Sequence, residues 1–107
     1  MSNFREYKDK PEAAERAARQ LIGAAIIVPA AVEWADLEPE AMPVPHAVEV
    51  WRVLVEHTRA HPGVNIDETT IANRSGVPLE WVAECEGIAT KPQAEHYAST
   101  IRQHADR

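Results

Sequence analysis

Residues 69–85 read TTIANRSGVPLEWVAEC. Ile71 is followed by the small Ala72, Gly76 comes four residues later, and Val77, Val82 and Cys85 continue an apolar series. A helix-turn-helix uses these residue types in this order. A small side chain sits where two helices touch, Gly makes the turn, and apolar residues hold the second helix down. Asp67 stands where an N-cap belongs and Pro78 opens the second segment. The spacing predicts a helix pair over residues 67–87, closed at Gly76 and again at Gly87. Such a pair invites the question whether it reads DNA.

Charge argues against that use. A second helix that enters a groove must offer donors to phosphates and base edges. PLEWVAECEG carries Glu80, Glu84 and Glu86 with no Lys or Arg, and Arg74 is the one basic residue between 62 and 90. The whole chain has net charge −6, and residues 29–90 hold three basic against eleven acidic side chains. The helix pair is expected to be real and its reading of nucleic acid absent.

Helical periodicity extends outward in both directions. Toward the N-terminus, HAVEVWRVLVEHTRA places Ala47, Val50, Trp51, Leu54 and Thr58 on one stripe, widened by Val48 and Val55. This spacing predicts a largely buried central helix. Before it, EPEAMPVP carries Pro39, Pro43 and Pro45, and the residue before each proline disfavours helix, so a hinge-like loop is expected. PAAVEWADL reads as a short helix with Val32 and Trp34 facing different directions. Asp9 and Pro11 open a first helix whose Ala14, Ala17, Leu21, Ala25 and Val28 share a face. Residues 1–9 read as a flexible polar arm, and 10–107 as one all-α domain of about six helices. At the C-terminal end, QAEHYASTIRQHADR sets Ala94, Tyr97, Ala98, Ile101 and Ala105 on a stripe.

Catalytic signatures are missing. There is no phosphate-binding loop, no dinucleotide fingerprint and no nucleophile elbow. His57 and His61 stand four apart, but Pro62 follows at once and companion ligands are not evident, so no metal site is expected. Asp36, Glu38 and Glu40 read as a solvated acidic loop. The single cysteine, Cys85, reads as a packed side chain. No signal-peptide core or membrane-length apolar run is present, so the expected location is cytoplasmic. No enzyme, no cofactor and no metal are expected.

Four segments in this order resemble the N-terminal domain of DnaB-type replicative helicases. These are ERAARQLIGAAIIVPAAVEWA, PHAVEVWRVLVEH, NIDETTIANRSG and QAEHYASTIRQHADR. Leu21-Ile22-Gly23-Ala24 through Val28-Pro29-Ala30 match the family's first-helix ending, and His46, Val50 and Trp51 match the start of its next helix. Ile66-Asp67, Thr70 and Ile71 match a capped helix after that, and Tyr97, Ile101 and Arg107 match its last. The sequence departs from the family at Pro43-Val44-Pro45, where an aromatic-bearing region is usual, and in the short segment after Gly76.

The resemblance implies an orthogonal bundle with no catalytic residues that docks primase and helps assemble the helicase ring, any motor being a separate domain. The chain then reads either as a domain of a longer helicase or as a stand-alone relative of phage or plasmid type. Expected partners are primase, helicase protomers or a helicase loader, with a homo-oligomer through the last helix as a further option. Direct nucleic-acid or membrane contact is not expected. The partner surface is assigned to Glu33 and Trp34 on the short second helix, with Glu95 and Tyr97 on the last. The alternative reading is a small helix-turn-helix DNA-binding regulator.

Overall fold

A computed structural model of the chain describes residues 11–88 and 94–105. Six α-helices and one 3-10 turn make up the regular structure, with no strand among the described residues. The helices are α1 (Pro11–Ile27), α2 (Ala31–Ala35), α3 (Pro45–Ala60), α4 (Glu68–Ser75), α5 (Leu79–Ile88) and α6 (Ala94–Ala105), and the 3-10 turn spans Pro39–Ala41. The expected all-α class is therefore observed. The expected arm and the Asp9 cap lie outside the described residues.

The centre of the bundle is α1, not α3 as the stripe of valines suggested. α1 packs on α6 and α5 most extensively and also meets α2 and α3. Its N-terminal half buries one face through Ala14, Ala17 and Ala18. From Leu21 to Ile26 every residue is buried. Two properties of the sequence allow this. Alanine loses no side-chain entropy in a helix. Its small side chain also lets neighbouring helices approach closely, while Leu21 and Ile22 supply the large buried surface at about 1.5–3 kcal/mol each. The helix ends where Pro29 has no N–H to continue it. Val28 N–H still reaches Ala24 O at 2.7 Å, and Ala31 N–H then turns back to Val28 O at 2.9 Å.

α3 carries the largest core side chain. Ala47, Val50, Trp51, Val53 and Leu54 are buried on it, and Pro45 occupies its first turn. The loop before α3 is packed down, unlike the hinge expected from its prolines. Leu37 and Met42 are buried there, and Trp51 Nε1–H donates to Leu37 O at 2.8 Å. Pro39 starts the 3-10 turn and Pro45 starts α3, so these prolines set element starts and the loop between them is held by its apolar residues.

α6 lies across α1 and α2. Tyr97, Ala98 and Ile101 are buried in this contact, whereas Ala105 at the end of the expected stripe is exposed. The middle of the stripe, from Tyr97 to Ile101, is thus covered within the chain. Among the described residues no helix is long and apolar enough to cross a membrane.

Candidate functional site: the helix pair and the α2–α6 corner

The helix pair forms as its sequence dictates. Asp67 Oδ1 accepts the Thr70 N–H at 2.7 Å, which caps α4. The same bond, with a contribution from the Thr70 hydroxyl, holds the Asp67 carboxyl below its ordinary value. Gly76 closes α4 at φ 75°, a left-handed conformation that glycine adopts without a Cβ clash, and its N–H donates to Ala72 O at 2.9 Å. Ile71, Val77, Val82 and Cys85 are all buried. One boundary differs from expectation. α5 runs through Gly87 to Ile88, so Gly87 does not close it among the described residues.

α5 is fastened to α1 by its polar side as well as its apolar side. Arg19 Nη1 donates to Glu84 Oε2 at 3.0 Å. The Arg19 guanidinium lies 5.1 Å from the centre of the Trp81 ring, and His46 meets the same ring edge-on at 5.6 Å. Trp81 therefore touches both a cation and an imidazole. This stack joins residues far apart in sequence and has no local signal. What α5 leaves exposed is Leu79, Glu80, Glu84, Gly87 and Ile88. A groove-reading surface would need cations there. Burial pushes the Cys85 thiol up to about 12, so it is a packed, unreactive side chain.

The residues assigned to a partner surface fall on two helices that do touch. α2 packs on α6, and Arg102, near the C-terminal end of α6, hydrogen-bonds to the end of α2. The assigned residues differ in exposure. Trp34 is 51% exposed and Glu33 and Glu95 are exposed, but Tyr97 is 6% exposed and belongs to the α1–α6 contact. Tyr97 is therefore a core residue and does not line a surface. Val32 faces the core while Trp34 faces outward, as their offset on a helix requires.

A five-residue helix has little stability of its own, and α2 has an external brace. Arg102 of α6 donates from Nη2 to Ala35 O at 2.6 Å and to Asp36 O. These are carbonyls at the C-terminal end of α2, where a cation is favoured. Asp36 takes a left-handed conformation at φ 46°, which ends α2 sharply. Arg102 stands 67 residues from Ala35 in sequence, so nothing local announces its role.

The other polar candidates resolve simply. Asp36, Glu38 and Glu40 are all exposed, with Glu40 3.8 Å from Arg52. His57 Nε2 is 3.0 Å from Val64 O across the Pro62-Gly63 turn, and the His57 and His61 rings are 5.3 Å apart. Among the described residues no three His, Cys, Asp or Glu are placed to hold a metal, and no polar or charged residue is buried.

Comparison with protein-family models, with curated proteins and with solved structures finds no match to this chain.

Proposed function

We propose that this chain is a non-catalytic protein-docking domain of the DNA replication machinery, of the kind that the resemblance to replicative-helicase N-terminal domains implies. The observation that carries the reading is Trp34. It is an indole half exposed on a short helix that is fixed from behind by Arg102 and ended by the left-handed Asp36. A large aromatic held rigid at a surface is the type of residue that dominates protein interfaces, because little side-chain freedom is lost when it is covered. Glu33 beside it and the acidic middle of the chain favour a partner with a basic face. The order along the chain of the four segments that resemble that domain supports primase, a helicase protomer or a loader as that partner.

The helix pair itself favours a second reading, a small DNA-binding regulator, through its Gly76 turn and Asp67 cap. The sign of the exposed charge on α5 weighs against it. Affinity capture from the source organism discriminates the two. Recovery of a replication protein by the natural chain, lost with Glu33→Lys and with Trp34→Ala, supports the docking reading. Recovery of nucleic acid alone, or of no replication protein, removes it.

A further inference from the structure

Where α2 meets α3, a pocket of about 170 Å³ opens at the surface. Val32, Glu33, Asp36 and Leu37 line it from α2 and the two residues after it, and Val55 and Arg59 line it from α3. Val55 and Arg59 stand four apart and so share one face of their helix. Val32 and Leu37 are buried and Val55 is half-buried, whereas Glu33, Asp36 and Arg59 are exposed. The pocket therefore has an apolar floor and a charged rim. That rim is polarised, with two carboxylates on the α2 side and one guanidinium on the α3 side.

The α2 wall is fixed from behind. Asp36 ends the helix in a left-handed conformation, and Arg102 donates to the carbonyls of Ala35 and Asp36. The next carbonyl, that of Leu37, accepts the Trp51 Nε1–H at 2.8 Å. These bonds occupy backbone groups and leave the rim charges unused. No ion pair among the described residues involves Glu33, Asp36 or Arg59. A wall held in place before binding loses little freedom when it is covered.

Size narrows the occupant. Pockets that take cofactors or drug-sized ligands run to about 300–1,000 Å³. This one has room for a single aliphatic side chain, and no three His, Cys, Asp or Glu among the described residues are placed to hold a metal. An apolar centre inside a polar rim is the anatomy of a protein interface. Trp34, half exposed, follows Glu33 on the same helix. From the apolar floor and the polarised rim we infer that this pocket receives one leucine-type side chain of a partner protein, from a segment that sets a cation toward Glu33 and Asp36 and a carboxylate toward Arg59. The inference rests on the reading of α2 as a docking surface, and it adds the chemistry of the segment that docks there.

The test is an NMR titration of the isotope-labelled chain with three acetylated, amidated peptides. Lys-Ala-Leu-Ala-Glu puts its three larger side chains on one face of an extended chain, where alternate residues align. Gln-Ala-Leu-Ala-Gln lacks the charges, and Lys-Ala-Ala-Ala-Glu lacks the leucine. The first should shift amides at Glu33, Asp36, Leu37, Val55 and Arg59. Its affinity should be about fivefold above that of the uncharged peptide, for two exposed ion pairs, and about tenfold above that of the alanine peptide, for one covered aliphatic side chain. Arg59→Gln and Glu33→Gln, both changes at the surface, should each lower the first affinity about twofold and leave that of the uncharged peptide unchanged. Equal affinity for the three peptides, shifts that avoid Leu37 and Val55, or no response to Arg59→Gln in a folded variant would overturn the inference. The same shifts on concentrating the protein without peptide would assign the pocket to a second copy of the chain, and would overturn it too. The titration uses no natural partner, so its failure is distinct from that of the docking reading, which fails when affinity capture recovers no replication protein.

Discussion

Replacing Trp51 tests how the core is built. Its side chain is fully buried on α3, and its Nε1–H donates to Leu37 O at 2.8 Å. Trp51→Ala removes the largest core side chain and should cost about 3–5 kcal/mol through lost transfer energy and the cavity left behind. Trp51→Phe keeps most of the apolar contact but leaves the Leu37 carbonyl without its donor, which costs about 1–3 kcal/mol for a buried acceptor. A domain of this length has a total stability of roughly 5–15 kcal/mol, so the alanine variant should be marginal and the phenylalanine variant folded. Urea unfolding followed by far-ultraviolet circular dichroism measures both. The order natural, Phe, Ala is expected in the midpoints at unchanged slope. An alanine cost below about 1 kcal/mol would place Trp51 at a surface and refute the packing described. A phenylalanine cost as small as a surface change would refute the role given to Leu37 O.

Arg102→Ala should lower stability by about 1–2 kcal/mol, since it removes charged donors from the end of α2. It should also speed amide exchange at Trp34 and Ala35 more than at Leu21, as hydrogen-exchange mass spectrometry can follow. Asp67→Ala should lower the melting temperature more than Asp67→Asn, whose amide oxygen can still accept from Thr70 N–H. Because the folded Asp67 carboxyl lies below its ordinary 3.8, its contribution is fully present above that value and is lost as pH falls through the lower folded one. The alanine variant should therefore show a smaller loss of stability on acidification in that window. Mixed-sequence duplex DNA at low salt should give no sub-micromolar, steeply salt-dependent anisotropy change, because α5 presents no cation.

What the sequence made legible was local chemistry. The Asp67 cap, the Gly76 turn and the apolar series through Ile71, Val77, Val82 and Cys85 are each set by neighbouring residues, and all stand in the structure. The stripe on α3 was visible for the same reason. The choice of central helix was not, because it depends on which neighbours cover Leu21–Ile26, and alanine-rich helices do not advertise burial on all sides. Tyr97 was assigned to a partner surface, yet with Ala98 and Ile101 it is buried where α6 packs on the rest of the bundle. Of the candidate surface, the outward face of Trp34 followed from its offset relative to Val32. The Arg102 brace and the Arg19–Trp81–His46 stack did not, since they pair residues across the fold.

The central claim is that this is a docking domain for a replication protein. Calorimetric titration of the chain with the purified helicase-binding region of the primase from the same organism tests it most directly. The account predicts saturable binding with stability unchanged but affinity lost in Trp34→Ala. No heat of binding to that region, together with tight and salt-dependent binding to duplex DNA under the same conditions, would contradict it.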